Sequence, residues 1–374
     1  MSPPRSNASN ADAPLIRLRT GTVVSLGARR PGALELRVDV DGEQADALAY
    51  PGLVGPISPG DRVVLNTTAV DLGLGTGGLH LVVASADASS EVRHRGRVIK
   101  ARYLPHQAAV HVLEESHADV LDEARLGGVP VVAAPLHSMI APIAAGAKAA
   151  AGANVVYVMT DGAALHGRFS RLVDELRRAE LLDGFITAGQ ALGGDHEAVT
   201  PWSALLGAVG VLNAEVVVVA DGPGNSGTAT TWGVSALANG HALDAAATLG
   251  GRPVAALRVS FADARHRHRG VSHHSLTILE HVCHVAANVA VPALEDEAER
   301  TAVWDALRSR GLEDRHQLVE VDGRPGVEEL ERRGVEVTSM GRSPADDRAF
   351  FLAAGAAGVL AGRMAAESRP YRPS

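Results

Sequence analysis

The sequence predicts an α/β protein: a small N-terminal β-barrel-like domain followed by a large α/β domain with a mainly parallel, doubly wound sheet. Three observations predict it. Short valine- and leucine-rich runs separated by turn chemistry fill residues 15–86. From residue 97 the rhythm changes to continuous apolar runs alternating with helical patterns. The chain has 374 residues, too many for one ordinary core and enough for about two domains.

In chain order, residues 1–14 (MSPPRSNASNADAP) form a polar tail with no apolar core segment, which reads as neither a signal peptide nor an anchor. Residues 15–86 are the all-β domain: TGTVVSL, ALELRVDV and RVVLN are strands, divided by RRPG, DVDGE and YPGLVGPISPGD. LGLGTGG (72–78) lacks the strand-to-helix context of a phosphate loop and reads as a hairpin or bulge turn. Residues 87–96, polar and small, are a linker. Residues 97–366 are the α/β domain, and 367–374 a tail. Six strands are expected, in VPVVAAP, NVVYVMT, GFITA, AEVVVVA, RPVAALRVS and HQLVEV. Helices are expected in SMIAPIAAGAKAAAG, SRLVDELRRAELL, AVTPWSALLGAVGVL, WGVSALANGHALDAAATLG and HSLTILEHVCHVAANV. A (β/α)₈ barrel is the alternative architecture, because the domain has the right size.

Net charge −8 argues against general nucleic-acid binding, which needs a basic field. No uninterrupted run of about 18 apolar residues suggests a membrane span, so a cytoplasmic protein is expected. The one cysteine, Cys283, excludes an internal disulfide and a cysteine-rich zinc site, and its apolar setting reads as core packing. Aromatics make up only 3% of the chain, so small aliphatic side chains must fill the core. Small-residue surfaces and mild charge permit a homo-oligomer without specifying one.

In both architectures ligands bind at the carboxyl ends of the parallel strands, and five successive strands end in polar residues. These ends are LHS (His137, Ser138), DGAALHG (Asp161, Gly162), GQALGGDHE (Asp195, His196, Glu197), DGPGNSGT (Asp221–Thr228) and FADARHRHRGVSHH (261–274). DGPGNSGT permits close backbone approach through Gly222, Gly224 and Gly227. Asn225, Ser226 and Thr228 add polar contacts, and Ser226 or Thr228 can cap the next helix, whose N-terminus favours an anion. A tight connection is the structural alternative.

The last stretch gathers four of the 16 histidines and three arginines. Three readings stay open. Asp263, His266 and His268 have the atom types of a metal site, and His-x-His on extended chain puts both rings on one face. Arg265, Arg267 and Arg269 suit an anion, with His273 or His274 as general acid or base. A solvated loop is the third. His137 is a candidate base. Asp161 suits a ribose hydroxyl, a metal or a helix cap. Asp195 and Glu197 read as the opening of a helix, EDEAER (295–300) as a solvated helix start, and His281 and His284 as packing residues.

ISPGDRVVLNTTAVDLGLGTGG, LHSM, MTDGAAL, GGDHEAV, GPGNSGT and SFADARHRHRGVSHHSLTIL resemble an uncharacterised bacterial family known only as a domain of unknown function. The resemblance runs from about residue 15 to 365. It implies a bacterial cytoplasmic protein with this two-part layout and carries no activity with it. From the residues, the expected function is an enzyme acting on a small anionic molecule, such as a phosphorylated one, by hydrolysis or group transfer with histidine acid/base, a divalent metal being an open option. The alternative is a non-catalytic metabolite sensor or scaffold. A dinucleotide redox enzyme ranks third, because the glycine fingerprint is absent.

Overall fold

The computed structural model describes residues 16–73, 77–87 and 96–368. The expected tail 1–14, most of the linker, the centre of LGLGTGG and the end of the C-terminal tail lie outside these residues. The chain divides into two compact units, residues 1–93 and 94–374.

The first unit is a closed barrel of β1 (Leu18–Arg30), β2 (Ala33–Val40), β3 (Glu43–Ala49), β4 (Arg62–Asn66) and β5 (His80–Ser85). The order is β1-β2-β3-β5-β4, with β4 returning to β1. Only the β3–β5 pair is parallel, a connectivity shared with the OB-fold. Alternation along β2 buries Leu34, Leu36 and Val38, which meet Val23, Leu65 and Val82 in the core. Gly21 is where the wall is tightest: a Cβ there would lie 2.9 Å from the Asp39 carbonyl.

The second unit opens with a hairpin, β6 (Val98–Lys100) and β7 (Ala108–Val110). Its main sheet comprises β8 (Pro130–Ala133), β9 (Val155–Thr160), β10 (Gly184–Thr187), β11 (His196–Glu197), β12 (Val216–Asp221), β13 (Arg252–Ala256), β16 (Asn288–Pro292) and β17 (Gln317–Val321). Their order is β11-β10-β9-β12-β8-β13-β16-β17, every pairing parallel. The sheet is open at both edges, which overturns the (β/α)₈ alternative. β8, β9, β10 and β12 are buried at every position, as strands covered on both faces must be.

Two apolar layers flank this sheet. One face carries helices Ile140–Ala151, Arg171–Arg178, Arg324–Arg332 and Arg348–Ser368. The other carries Pro201–Gly210, Ala238–Thr248, His273–Val282 and Glu297–Arg308. Arg348–Ser368 is long and apolar enough to cross a bilayer, yet 89% of its most apolar window is buried within the unit. It crosses Ile140–Ala151 through glycines. A Cβ on Gly146 would lie 2.6 Å from the Gly355 carbonyl, and one on Gly362 2.9 Å from the Ala147 carbonyl.

Three expectations change. RPVAALRVS is not one strand: β13 stops at Ala256, and Val259–Ser260 (β14) pairs antiparallel with Gly270–Val271 (β15). This clip pins both ends of the histidine–arginine loop. HSLTILEHVCHVAANV is not one helix. Five α-helical residues, His273–Thr277, pass into a π-helical turn closed by Cys283 N donating to the Ile278 carbonyl, and Val289 and Val291 lie in β16. Asp195 and Glu197 open no helix, because His196–Glu197 is the edge strand. The next helix starts at Pro201 with Thr200 as its cap, its hydroxyl accepting from Ser203 N.

Candidate functional site

The connecting helix after β8 lies on one face of the sheet, while those after its two neighbours, β12 and β13, lie on the other. The loops therefore part over β8, and a crevice opens at this topological switch point. A cavity of about 620 Å³ occupies it. Its wall takes Pro135–Ser138 from the loop after β8, Gly224, Asn225, Gly227 and Thr228 from the loop after β12, and Arg258, Arg265, Arg267, His268 and His274 from beyond β13. Leu172, Glu175, Pro223, Val234, Glu336 and Thr338–Met340 complete it.

The β12 loop is not a helix N-terminus. Gly227 bridges Val234, Thr228 Oγ1 donates to the Gly233 carbonyl, and the helix proper begins only at Ala238. Neither Ser226 nor Thr228 caps it, which removes the dipole argument for an anion on this loop. Asn225 instead ties the two lips of the crevice, its Nδ2 donating to the Pro135 carbonyl at 2.7 Å. Its Oδ1 is buried without a protein partner. Gly222 and Ser226 lie off the wall.

His137 is held on both sides. Nδ1 lies 3.3 Å from the Asp221 carbonyl and Nε2 2.7 Å from Ser170 Oγ. The carbonyl can only accept, so the ring proton sits on Nδ1 and the serine hydroxyl donates to Nε2. The same Ser170 oxygen accepts from Val173 N and caps helix Arg171–Arg178. Burial pushes the His137 pKa down to about 4, only partly opposed by its bond to the Asp221 carbonyl. His137 is therefore a neutral, fully bonded ring that orders the wall and not a free base. Ser170→Ala removes a cap and leaves Nε2 unpaired in the interior; a loss of about 2 kcal/mol in urea unfolding is expected.

Asp161, just after β9, stands apart, its Oδ2 accepting from Gln190 N in the loop after β10, off the cavity wall. Asp221 ends β12 nearly fully buried. Its Oδ1 accepts from Thr160 Oγ1 at 2.6 Å and from Gly162 N, while Oδ2 has no protein donor.

The histidine–arginine loop is arranged differently from its sequence reading. His266–His268 is a 3₁₀ turn, not extended chain, so consecutive side chains are about 120° apart. His266 points to solvent and His268 inward, where it is 1% exposed. Asp263 is not free for a metal. Its oxygens accept from Arg258 Nη2 at 2.9 Å, from Arg265 Nη2 at 2.8 Å, and from Arg265 Nε and backbone N, each at 3.0 Å. These bonds and charges, Arg265 first, hold its carboxyl far below the usual carboxylate range despite burial. Arg269 is off the wall.

Arg258 escaped the sequence reading because it lies in an apolar run taken for a strand. It is 4% exposed. Burial pushes its pKa down to about 10, with Asp263 opposing the fall, so it stays charged at neutral pH. Its Nη1 contacts His268 Nδ1 at 3.2 Å. A lone arginine among VAAL and VS was the available signal, since arginine is almost never buried unless paired. Arg267 lines the same cavity, and no ion pair to it exists among the described residues.

His268, His273 and His274 come together. Ring centroids are 5.1 Å apart for His268–His273, 5.0 Å for His268–His274 and 4.0 Å for His273–His274. One ring nitrogen of each lies within 4.8 Å of those of the other two. Nε2 of His273 and of His274 are buried with no hydrogen-bond partner. All three rings are neutral at pH 7. Burial, then the charge of Arg258, pushes His268 down to about 3; burial, then His273 and Arg258, pushes His274 to about 4. Burial, then Arg267 and Arg258, lowers His273.

The switch-point cavity thus collects His137, His268, His274, Arg265, Arg267 and four residues of the glycine loop, and leaves out Asp161, Gly222, Ser226, Asp263, His266, Arg269 and His273. No curated protein matches the chain. Residues 46–358 match the model of a family described as a protein of unknown function, DUF3866. The match takes in most of the chain, the cavity-lining loops included, and the chain is a member of that family.

Proposed function

We propose that this protein is an enzyme that binds a small anionic molecule in the switch-point cavity and acts on it by hydrolysis or group transfer. The observation that carries the reading is the cation set on one wall: Arg267 unpaired, Arg265 half-exposed beside it, and Arg258 buried behind them. Guanidinium groups in a partly desolvated crevice favour phosphate or carboxylate oxygens by charge-assisted, bidentate bonds. The neutral imidazoles of His268 and His274 face the same space and are the groups placed to exchange a proton with the ligand. On this reading the protein is a bacterial cytoplasmic enzyme of small-molecule metabolism with no general affinity for nucleic acid.

A second reading, a non-catalytic metabolite sensor, is favoured by one observation: among the described residues, no carboxylate hydrogen-bonds a histidine of the cavity wall. One experiment addresses both. Calorimetric titration with inorganic phosphate should show one site per chain, weakened about tenfold or more in Arg267→Ala, the loss of one charge-assisted bond. Release of nitrophenolate from p-nitrophenyl phosphate would favour the enzyme. Phosphate binding without turnover across a panel of phosphate and carboxylate esters would favour the sensor. Absence of binding to any of these anions would sink both.

A further inference from the structure

The three imidazoles do more than line a wall. We propose that His268, His273 and His274 form a binding site for a divalent transition metal of the zinc class, with an open coordination position facing the cavity. The proposal stands on this cluster alone and does not rest on the anion reading.

Three neutral imidazoles are the ligand set of an open, catalytic-type zinc site. Tetrahedral ligation at about 2.1 Å brings the nitrogens to roughly 3.4 Å from one another, and here they already lie within 4.8 Å. His273 and His274 are adjacent at the start of a short helix, so one backbone turn places both. The clip between β14 and β15 then returns His268 against them. Two of the rings present buried Nε2 atoms that no protein group satisfies. A buried nitrogen left unpaired is costly, and a ligand bound at the cluster would relieve it.

A second layer is present as well. Ser272 Oγ lies 2.8 Å from His268 Nδ1. Ligation through Nε2 puts the ring proton on Nδ1, where this hydroxyl accepts it, the usual outer support of a metal-bound histidine. The Arg258 contact to Nδ1 is then given up, and Arg258 keeps Asp263. The nearby arginines oppose a cation less than their number suggests. Asp263 pairs with both Arg258 and Arg265, and Asp347 with Arg342, which leaves Arg267 as the unpaired charge opposing an ion. His268 and His274 line the cavity, so an ion held by them borders the crevice.

The test uses the full chain, stripped with a chelator and checked for folding by circular dichroism. Titration with Co²⁺ should give the visible absorption bands of a low-symmetry, four- or five-coordinate ion. Zn²⁺ should displace it at one ion per chain. His274→Ala and His273→Gln should each bind at least about 100-fold more weakly, while His266→Ala, in the same loop but facing solvent, should bind as the wild type does. A folded wild-type chain that gives neither the Co²⁺ bands nor stoichiometric Zn²⁺ binding overturns the proposal, whatever the folding of the variants. So does Zn²⁺ binding that survives in His273→Gln or disappears in His266→Ala. The anion reading fails separately, in the phosphate titration of the wild type and Arg267→Ala.

Discussion

Asp263→Asn is expected to cost the α/β unit about 3–5 kcal/mol, the range for removing one partner of a buried ion pair. Arg258 is the reason. It is 4% exposed and Asp263 is 3% exposed, so losing the carboxylate charge strands a guanidinium where water cannot replace it. Asparagine keeps the shape and one acceptor, which isolates the charge. Urea unfolding of the two proteins at pH 7 measures it, and a loss below about 1 kcal/mol would mean that Arg258 finds water in the variant. The same pair sets a pH dependence. The folded carboxyl has its pKa depressed relative to an unfolded value of about 3.9. Its stabilising contribution is therefore complete above that value and is lost progressively as pH falls below it. Wild-type stability should drop in this acid range, and Asp263→Asn should lack that part of the drop.

Gly358→Ala should be a damaging single-methyl change at the helix–helix seam. Its Cβ would run into the backbone carbonyl of Ile143 in the facing helix, with the Ile143 Cα close behind. Backbone cannot rotate away as a side chain can, so the two helices must part along a seam that also depends on Gly146, Gly355 and Gly362. Alanine favours a helix over glycine by about 1 kcal/mol; overpacking typically costs about 1–3 kcal/mol and here, against backbone, should lie at the upper end, for a net loss of about 2 kcal/mol. Gly334→Ala is a control of a different kind. That glycine has open space around it but a φ of +67°, so it tests backbone strain alone. Thermal unfolding of both variants separates the two causes, and a Gly358→Ala protein as stable as wild type would show that the seam can slide.

The sheet was legible because VVYVMT, GFIT and VVVVAD are short apolar runs ending in polar residues, and only a doubly covered strand tolerates such runs. β16 was not legible. VCHVAANVAVP fits a helix and a strand equally well by composition, and its helical start made the longer reading attractive. Strand ends pointed to the loops that line the cavity. They could not partner its residues. Whether His268 joins His266 or His273 depends on one 3₁₀ turn and on the β14–β15 clip, both set by tertiary packing. Asp263 looked like a metal ligand because its arginine partners were counted as neighbours in sequence, not as donors to its own oxygens. Arg258 was hidden by the opposite error, a charged residue absorbed into an apolar strand.

The position of Arg348–Ser368 in chain order has a consequence for synthesis. This helix follows all eight strands of the main sheet and covers one of its faces. While the ribosome is still adding residues before about 350, that face has its earlier helices but lacks this one, and the strands it packs on, β8, β13 and β16 among them, stay partly uncovered. Apolar surface displayed for that long invites aggregation or chaperone capture. The barrel is made before the cavity-bearing unit and can close on its own core, whereas that unit must wait for a helix that follows its last strand. Its folding is therefore expected to follow synthesis of residues 348–368, and a stop codon placed just before residue 348 should yield a folded barrel attached to an unfolded remainder.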